Sequence, residues 1–317
     1  MNWIKFGWGS EFSPTFNKHS RFYVDVSNAE YSNTDLLEVS SNVINEIAKK
    51  YPPPYYLMVS GGIDSQALLW CWINSNVPFV PISVRYIGAP EYKEVLNEHD
   101  LEELEKFSLK HKINIKYIDF DIVKFLENEL NEYAIKYQCT SPQICSHMKM
   151  SELVDGGTTI FSGNFILGFH YTYTILGLKR YADSSERSCI PFFFLHDKKL
   201  AGLRNRTDYR EGYDGKVEFY RDLGIPVIPQ NDKQTGFEII KDYYDTRTDL
   251  VVTATEKLRF MNMPSKRKFD LLFRYRLMKE IRYQDKVIYV GIKQYMLGPN
   301  STPSSIRSPT VLNPTFS

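Results

Sequence analysis

The sequence predicts an α/β protein with a parallel sheet covered by helices on both faces, followed by a mostly helical C-terminal region. Between residues 55 and 165, short β-prone apolar runs alternate with helical patterns, which is typical of parallel sheets. The helical pattern at 66–74 is apolar nearly all round, so this helix should be buried. Hydrophobic residues make up 43% of the 317 residues and charged residues 24%, an average composition for globular domains that excludes general disorder.

Each element is predicted from a local pattern. Apolar residues recur on one stripe over 33–50 and predict a helix, with Ser32, Asn33 and Thr34 offering caps and three prolines at 52–54 ending it. Ser141-Pro142 predicts a helix with a serine cap and proline at its first position, which ends at Gly156-Gly157. The predicted strands are 55–59, 79–86, 113–120 and 158–162, and the remaining predicted helices are 66–74, 100–111 and 121–137.

The pattern loosens beyond residue 170, where we predict helices near 234–244 and 266–282 and a strand at 287–290. Residues 1–31 are aromatic and irregular. The predicted organisation is therefore an N-terminal extension and helix at 1–54, a Rossmann-like α/β domain at 55–170, a mostly helical substrate region at 171–297 and an extended tail at 298–317.

Charge and cysteine content limit the classes of function. There are 39 basic and 38 acidic side chains, a net charge of +1, which argues against a nucleic-acid binder built on bulk charge but leaves a local basic patch open. The N-terminus has no basic start followed by an apolar run, and no window approaches the ~18 apolar residues of a membrane span. With only four cysteines, we expect a cytoplasmic protein with reduced thiols and no membrane partner.

The segment at 55–70, YYLMVSGGIDSQALLW, carries the chemistry. A buried strand runs into the turn Ser60-Gly61-Gly62, which leads directly into a helix. Glycines allow close backbone approach, and the N–H groups and dipole of the helix start attract an anion such as phosphate. Asp64 would repel that phosphate unless a cation lies between them, and magnesium suits one carboxylate plus phosphate oxygens.

This segment resembles the SGGxDS motif of the N-type ATP pyrophosphatases, the PP-loop superfamily, at all six motif positions, and the strand–helix order agrees over about residues 55–165. The resemblance implies the adenine nucleotide alpha hydrolase-like fold, with ATP and Mg²⁺ as cofactors. No Walker-type Gly-Lys-Ser/Thr run occurs in the chain, which disfavours an ordinary P-loop kinase or GTPase.

Carried over by position, the resemblance implies a role for each matched residue. The pyrophosphate cradle would be Ser60, Gly61, Gly62 and Ser65, with Asp64 as the metal ligand and a catalytic residue. The adenine would lie near Ser83, Val84 and Arg85 at the end of the second strand, and the nucleotide would also approach Gly163 and Asn164 after the fourth strand. Cations for phosphoryl chemistry come from the C-terminal region in this superfamily. Arg204 and Arg206 are the preferred catalytic candidates there, and a solvated loop face is the alternative interpretation of this basic stretch.

The resemblance also implies a reaction. ATP would be cleaved between its α- and β-phosphates, AMP would pass to an oxygen of a small-molecule acceptor, and an amine or ammonia would displace AMP. This is most like the synthetase domain of asparagine synthetase without its glutaminase domain, since position 2 is Asn2 and the 54 residues before the motif are too few for that domain. Ammonia or sulfur would then come from a separate donor. A sulfur-transferring or base-modifying enzyme with a nucleic-acid partner, a non-catalytic ATP-binding module and a homo-oligomer remain open.

Two further groups of polar residues have a structural as well as a functional interpretation. Asn97 or Asp100 is expected to cap a helix, although their turn could face the substrate. A catalytic role for His99 as a general base is the less favoured interpretation. Cys139 and Cys145 with His147 have the wrong spacing for a structural zinc site, so buried small hydrophobes are expected rather than metal ligands or catalytic thiols.

Overall fold

The computed structural model describes residues 5–8, 21–25, 35–88, 95–163, 177–178, 180–185, 187–195, 212–229, 237–252, 267–274, 276–277 and 286–290. The strands are β1 Lys5–Trp8, β2 Arg21–Asp25, β3 Tyr55–Met58, β4 Val80–Ile87, β5 Lys116–Asp121, β6 Thr158–Phe161, β7 Ser188–Pro191 and β8 Lys286–Val290. The α-helices are α1 Leu36–Lys50, α2 Ile63–Ile73, α3 Glu98–His111, α4 Ile122–Lys124, α5 Leu130–Tyr137, α6 Pro142–Ser151, α7 Phe192–Leu195, α8 Gly212–Asp222 and α9 Phe237–Thr246, with π-helical segments at Phe125–Glu129 and Asp270–Arg274.

Five strands form the central sheet in the order β5-β4-β3-β6-β7, and every neighbouring pair is parallel. The chain winds outward from β3 through β4 to β5, then returns to the other side of β3 with β6 and β7. The strand order therefore reverses between β3 and β6, which is where ligands bind in open α/β sheets. The predicted fold class, a Rossmann-like parallel sheet, is confirmed.

Helices cover both faces of this sheet, and alternate strand residues enter two cores. Tyr55, Leu57 and Val59 pack with α1, α2, α3 and a segment at 217–228. Met58 packs on the other side, with the helical stretch at 122–137, α6 and α9. Period-2 alternation on a parallel strand explains this partition, since successive side chains point to opposite faces. The α2 helix buries eight of its eleven residues, as its all-round apolar pattern predicts.

The structure corrects several predicted elements. The fifth strand, β7, was not predicted, because its four residues run into the apolar Phe192–Leu195 and show no period of their own. β1 and β2 lie within residues 1–31, which the sequence predicts to be irregular. They form a second sheet with β8, which confirms the strand predicted at 287–290. That sheet pairs β1 with β2 antiparallel and β2 with β8 parallel.

Helix starts and interiors also differ in detail. The first helix is capped by Asp35, whose side chain accepts from the Leu37 amide, rather than by Ser32, Asn33 or Thr34. The stretch at 122–137 contains a π-helical segment, and so does the predicted helix at 266–282 within the residues described there. The Ser141 cap is confirmed, because its hydroxyl accepts from the Ile144 amide. The proposed division at residues 54, 170 and 297 stays a prediction.

None of the helices described here is both long enough and apolar enough to cross a membrane.

Candidate functional site

The turn between β3 and α2 lies at the carboxyl edge of the sheet, next to the reversal of strand order. The Ser60 amide donates to Ser65 Oγ at 3.1 Å, and the two serine hydroxyls lie 3.1 Å apart. The Gly62 amide donates to Ser60 Oγ at 3.4 Å. The two motif serines therefore close the turn on itself and bring their hydroxyls together.

The N-terminus of α2 is not capped by a side chain. Gly62 occupies the cap position and makes no side-chain cap hydrogen bond, whereas Asp35 and Ser141 cap α1 and α6. The first N–H groups of a helix have no intrahelical acceptor, and together with the helix dipole they favour an anion. The start of α2 thus has the features that favour an anion, with two hydroxyls beside it.

Gly61 is required because another backbone occupies the space beside it. A Cβ atom at this position would lie 2.1 Å from the Asp100 carbonyl oxygen. Asp100 is fully buried in the first turn of α3. The first turn of α3 therefore packs directly against the candidate site.

Two other polar residues near the start of α3, Asn97 and His99, differ in burial and in contacts. Asn97 is at the cap position, but its side chain bridges strand β4 by accepting from the Tyr86 amide and donating to the Val84 carbonyl, both at 2.8 Å. His99 is exposed to solvent. Asn97 thus stabilises the carboxyl end of β4 rather than capping α3 with its side chain.

Asp64 accepts a hydrogen bond from a residue 156 positions away. The Tyr220 hydroxyl donates to Asp64 Oδ1 at 2.7 Å, and Tyr220 is 1% exposed near the end of α8. Asp64 itself is partly accessible in the first turn of α2. Tyr220 was not predicted as a site residue, because no local pattern in the sequence links residues at this separation.

Gln66 is a second residue that sequence reasoning missed. Its fully buried amide donates to the carbonyl oxygens of Gly61 at 2.9 Å and Ile228 at 3.2 Å, and accepts from the Ile228 amide at 2.7 Å. A glutamine inside an otherwise apolar helix was the available signal, because a buried amide needs partners. Gln66 joins the turn, α2 and the segment after α8.

The candidate adenine residues on β4 face different sides. Ser83 is 1% exposed, and its hydroxyl has no hydrogen-bond partner among the described residues. Val84 packs into the opposite core. Arg85 forms an ion pair with Asp119 on β5, with 2.6 Å between Nε and Oδ1. Of the three, Ser83 has an unused buried polar atom, and Arg85 already has a carboxylate partner.

A second glycine corner follows β6. Gly163 has φ +74°, a conformation that other residues adopt with strain, and a Cβ there would lie 2.8 Å from Pro191 Cβ. Because β6 pairs with β3 in parallel, this corner and the turn after β3 lie at the same edge. Asn164, Arg204 and Arg206 lie outside the described residues.

The two thiols are buried away from solvent, and the His147 imidazole is partly buried. Cys139 and Cys145 are fully buried, and burial raises the pKa of the Cys145 thiol well above its usual value. Burial also lowers the pKa of His147 to about 4, and its ring stacks on Phe161 with 4.2 Å between centroids. Within the described ranges, no three His, Cys, Asp or Glu residues are grouped to hold a metal ion.

Sheet order, two-sided helical cover and this turn define a doubly wound α/β protein with a candidate anion site at its switch point. No protein-family model and no curated protein matches the sequence. Among solved structures, the chain is similar to a U34-tRNA thiolase, NcsA, from Methanococcus maripaludis with its 4Fe–4S cluster, at 13% identity and TM-score 0.32 over 90% of this chain and 89% of that one. It is also similar to NMN synthetase from Francisella tularensis, at 13% identity and TM-score 0.37 over 86% of this chain and 100% of that one. Similarity at this level assigns no function to this chain.

Proposed function

We propose that this protein is an ATP-dependent enzyme of the PP-loop class that cleaves ATP to AMP and pyrophosphate at the turn formed by Ser60–Ser65. One observation supports the proposal: the six motif residues follow a parallel strand and continue into the first turn of a helix without a side-chain cap, beside the point where the strand order reverses. A dinucleotide or phosphate site at such a place is a general property of doubly wound sheets.

The turn would bind the pyrophosphate part of ATP. The hydroxyls of Ser60 and Ser65 now hydrogen bond to each other and to the amides of Ser60 and Gly62. Phosphate oxygens are stronger acceptors, because a charge-assisted hydrogen bond exceeds a neutral one. The hydroxyls and the amides at the start of α2 are therefore placed to exchange these internal bonds for bonds to phosphate.

Asp64 would hold a magnesium ion bound with ATP. The donor set fits Mg²⁺, which binds one or two carboxylates and completes its shell with phosphate oxygens and water rather than with a protein cage. When bound, the ion supplies positive charge that neutralises the leaving pyrophosphate. Asp64 keeps that charge beside the helix start, and Arg204 and Arg206 are proposed as further cations.

For the acceptor, we propose a small molecule whose carboxylate or carbonyl oxygen is adenylated and then attacked by an amine or by ammonia, as in an asparagine synthetase without its glutaminase domain. Sulfur transfer by Cys139 or Cys145 is less favoured, because both thiols are fully buried and the pKa of Cys145 is raised well above its usual value. A cytoplasmic location, a separate ammonia donor and self-association belong to the same proposal.

The test is the pattern of ATP cleavage. Protein incubated with γ-labelled ATP, Mg²⁺ and a small-molecule extract should release label as pyrophosphate and form AMP. Formation of ADP and orthophosphate would contradict the PP-loop assignment. ATP binding without any cleavage in extracts that contain amine acceptors would instead favour a non-catalytic binding module.

Asp64→Asn tests the metal role, with Asp35→Asn as a matched control at the start of another helix. If Asp64 only interacted with its helix dipole, both variants would lose about 0.3–1 kcal/mol of stability and nothing else. We expect Asp64→Asn to melt near the wild-type temperature, to need far more Mg²⁺, and to release pyrophosphate at least about 100-fold more slowly, the size of one lost preorganised electrostatic contact. An Asp64→Asn protein with unchanged rate and magnesium demand would remove Asp64 from the site.

A further inference from the structure

We propose that Tyr220 is a positioning residue that orients the carboxylate of Asp64 for the magnesium ion bound with ATP. The inference rests on the proposed function and adds a residue from the C-terminal half of the chain to the site. The carrying contact is the hydrogen bond from the Tyr220 hydroxyl to Asp64 Oδ1 at 2.7 Å.

The Tyr220 ring is fixed before any ligand binds. It is 1% exposed and belongs to the same apolar core as α1 and α2. Its neighbour Phe219 meets it edge-on, with 6.0 Å between ring centroids. A ring held in this way fixes the position of its hydroxyl oxygen, so the Asp64 oxygen that accepts from it is held at a defined place.

The backbone around Tyr220 is fixed as well, by a Schellman ending of α8. The Ile225 amide donates to the Tyr220 carbonyl at 3.0 Å, and the Gly224 amide donates to the Arg221 carbonyl at 2.9 Å. Gly224 has φ +75° with open space around it, the left-handed conformation that this motif requires. The helix end that carries Tyr220 is therefore a rigid support.

A second contact ties the following chain to the same helix start. Ile225 and Val227 are buried in the core shared with α2. Ile228 then exchanges two hydrogen bonds with the Gln66 amide, at 2.7 and 3.2 Å. The segment 220–228 is thus attached to α2 at Asp64 and again at Gln66, so it cannot withdraw Tyr220 without breaking the second attachment.

The hydrogen bond from Tyr220 orders the Asp64 carboxylate before any ligand binds. An aspartate in the first turn of a helix has several rotamers open to solvent, and ordering one side chain on ligand binding lowers affinity. Tyr220 selects one rotamer in the free protein, so this ordering does not have to occur when the metal and ATP bind. Its hydroxyl also donates to the carboxylate, which offsets part of the negative charge that faces the incoming phosphates.

Tyr220→Phe tests the inference, because it removes the hydroxyl and keeps the ring. Tyr55→Phe is the matched control: Tyr55 is 4% exposed in the same core, and its hydroxyl donates to the carbonyls of Ala48 and Tyr51 near the opposite edge of the sheet. Binding of ATP is measured by calorimetry over a series of Mg²⁺ concentrations, and melting is measured without ligand. We expect Tyr220→Phe to need about tenfold more Mg²⁺ for half-maximal ATP binding, while Tyr55→Phe binds as wild type does.

A double variant separates positioning from structural support. If Tyr220 acts through Asp64, Asp64→Asn combined with Tyr220→Phe should need no more Mg²⁺ than Asp64→Asn alone. Additive losses, or wild-type magnesium demand in Tyr220→Phe, would overturn the inference and leave the proposed function intact. A wild-type protein that binds no ATP at any Mg²⁺ concentration would overturn the proposed function, and the inference with it.

Discussion

Gly61→Ala adds one methyl group where the Asp100 carbonyl oxygen would lie only 2.1 Å away, with the carbon of that carbonyl at 3.0 Å. Both neighbours are backbone atoms, so no rotamer change can relieve the overlap. The turn and the first turn of α3 must separate by about 1 Å, because carbon–oxygen contacts below about 3 Å are not tolerated in a packed interior. The φ of Gly61 lies outside the left-handed region, so the constraint is space and not backbone conformation.

The cost follows from that displacement. Overpacking that forces backbone shifts costs about 1–3 kcal/mol, and we expect the upper end here, since Asp100 is fully buried and α3 packs into the core through Leu104 and Phe107. A loss of about 3 kcal/mol corresponds to a fall of roughly 5–10 °C in melting temperature for a domain of this size. A displacement of about 1 Å at a binding site can also cost about 100-fold in a rate.

Gly156→Ala is the matched control, because Gly156 has φ +64° and nothing within 4 Å of the added carbon. That variant should lose about 1–2 kcal/mol of stability through backbone strain alone. Gly156 lies before the amino end of β6, so the substitution should have no effect on ATP binding. Melting by calorimetry and ATP titration with Mg²⁺ check both variants. Wild-type stability together with wild-type ATP affinity in Gly61→Ala would refute the close approach of α3 to the turn.

Two further predictions concern the buried groups. Replacing both Cys139 and Cys145 by alanine should leave pyrophosphate release within a few-fold, because both thiols are fully buried; lost turnover in a double variant that still melts normally would favour sulfur-transferring chemistry instead. Burial lowers the pKa of His147 to about 4, against about 6.5 in the unfolded chain. Between these two values the unfolded state binds more protons than the folded state. The stability present above pH ~6.5 is therefore lost as the pH falls toward 4. In urea denaturation between about pH 7 and pH 5, the wild-type protein should lose about 1–2 kcal/mol more unfolding free energy than His147→Gln. This value is reduced because His147 keeps partial exposure. Equal losses in the two proteins would contradict the prediction.

The elements that could be predicted from sequence are those whose cause is local. The strand–turn–helix at 55–73 needs only an apolar run, a glycine pair and a continuous helical pattern. All three parts are found, although the helix begins at Ile63 rather than at the predicted Gln66. The Ser141 cap is equally local. β7 was missed for the opposite reason, because a four-residue strand acquires its identity from pairing with β6 rather than from its own pattern.

The contacts of the candidate site also divide into those with a local cause in the sequence and those between distant residues. Ser60 and Ser65 were predicted to act together, and their hydroxyls do meet. Tyr220 and Ile228 contact the motif from 156 and 162 positions away, and a single sequence contains no pattern that links residues so far apart. The need for glycine at 61 was predicted from ligand approach, whereas the structure adds the backbone of α3 as a second reason.

The two attachments of the segment 220–228 constrain how it meets α2. Asp64 and Gln66 are two positions apart, so their side chains leave the helix about 200° apart, on nearly opposite sides of its axis. Tyr220 reaches the first side and Ile228 the second, and the chain between them must therefore curve around the start of the helix. Burial of Ile225 and Val227 against the core holds that curve in place. The start of α2 is also the candidate anion site, and the segment 220–228 contacts it on two sides. We therefore expect a substitution in α8 to change ATP affinity without contacting ATP.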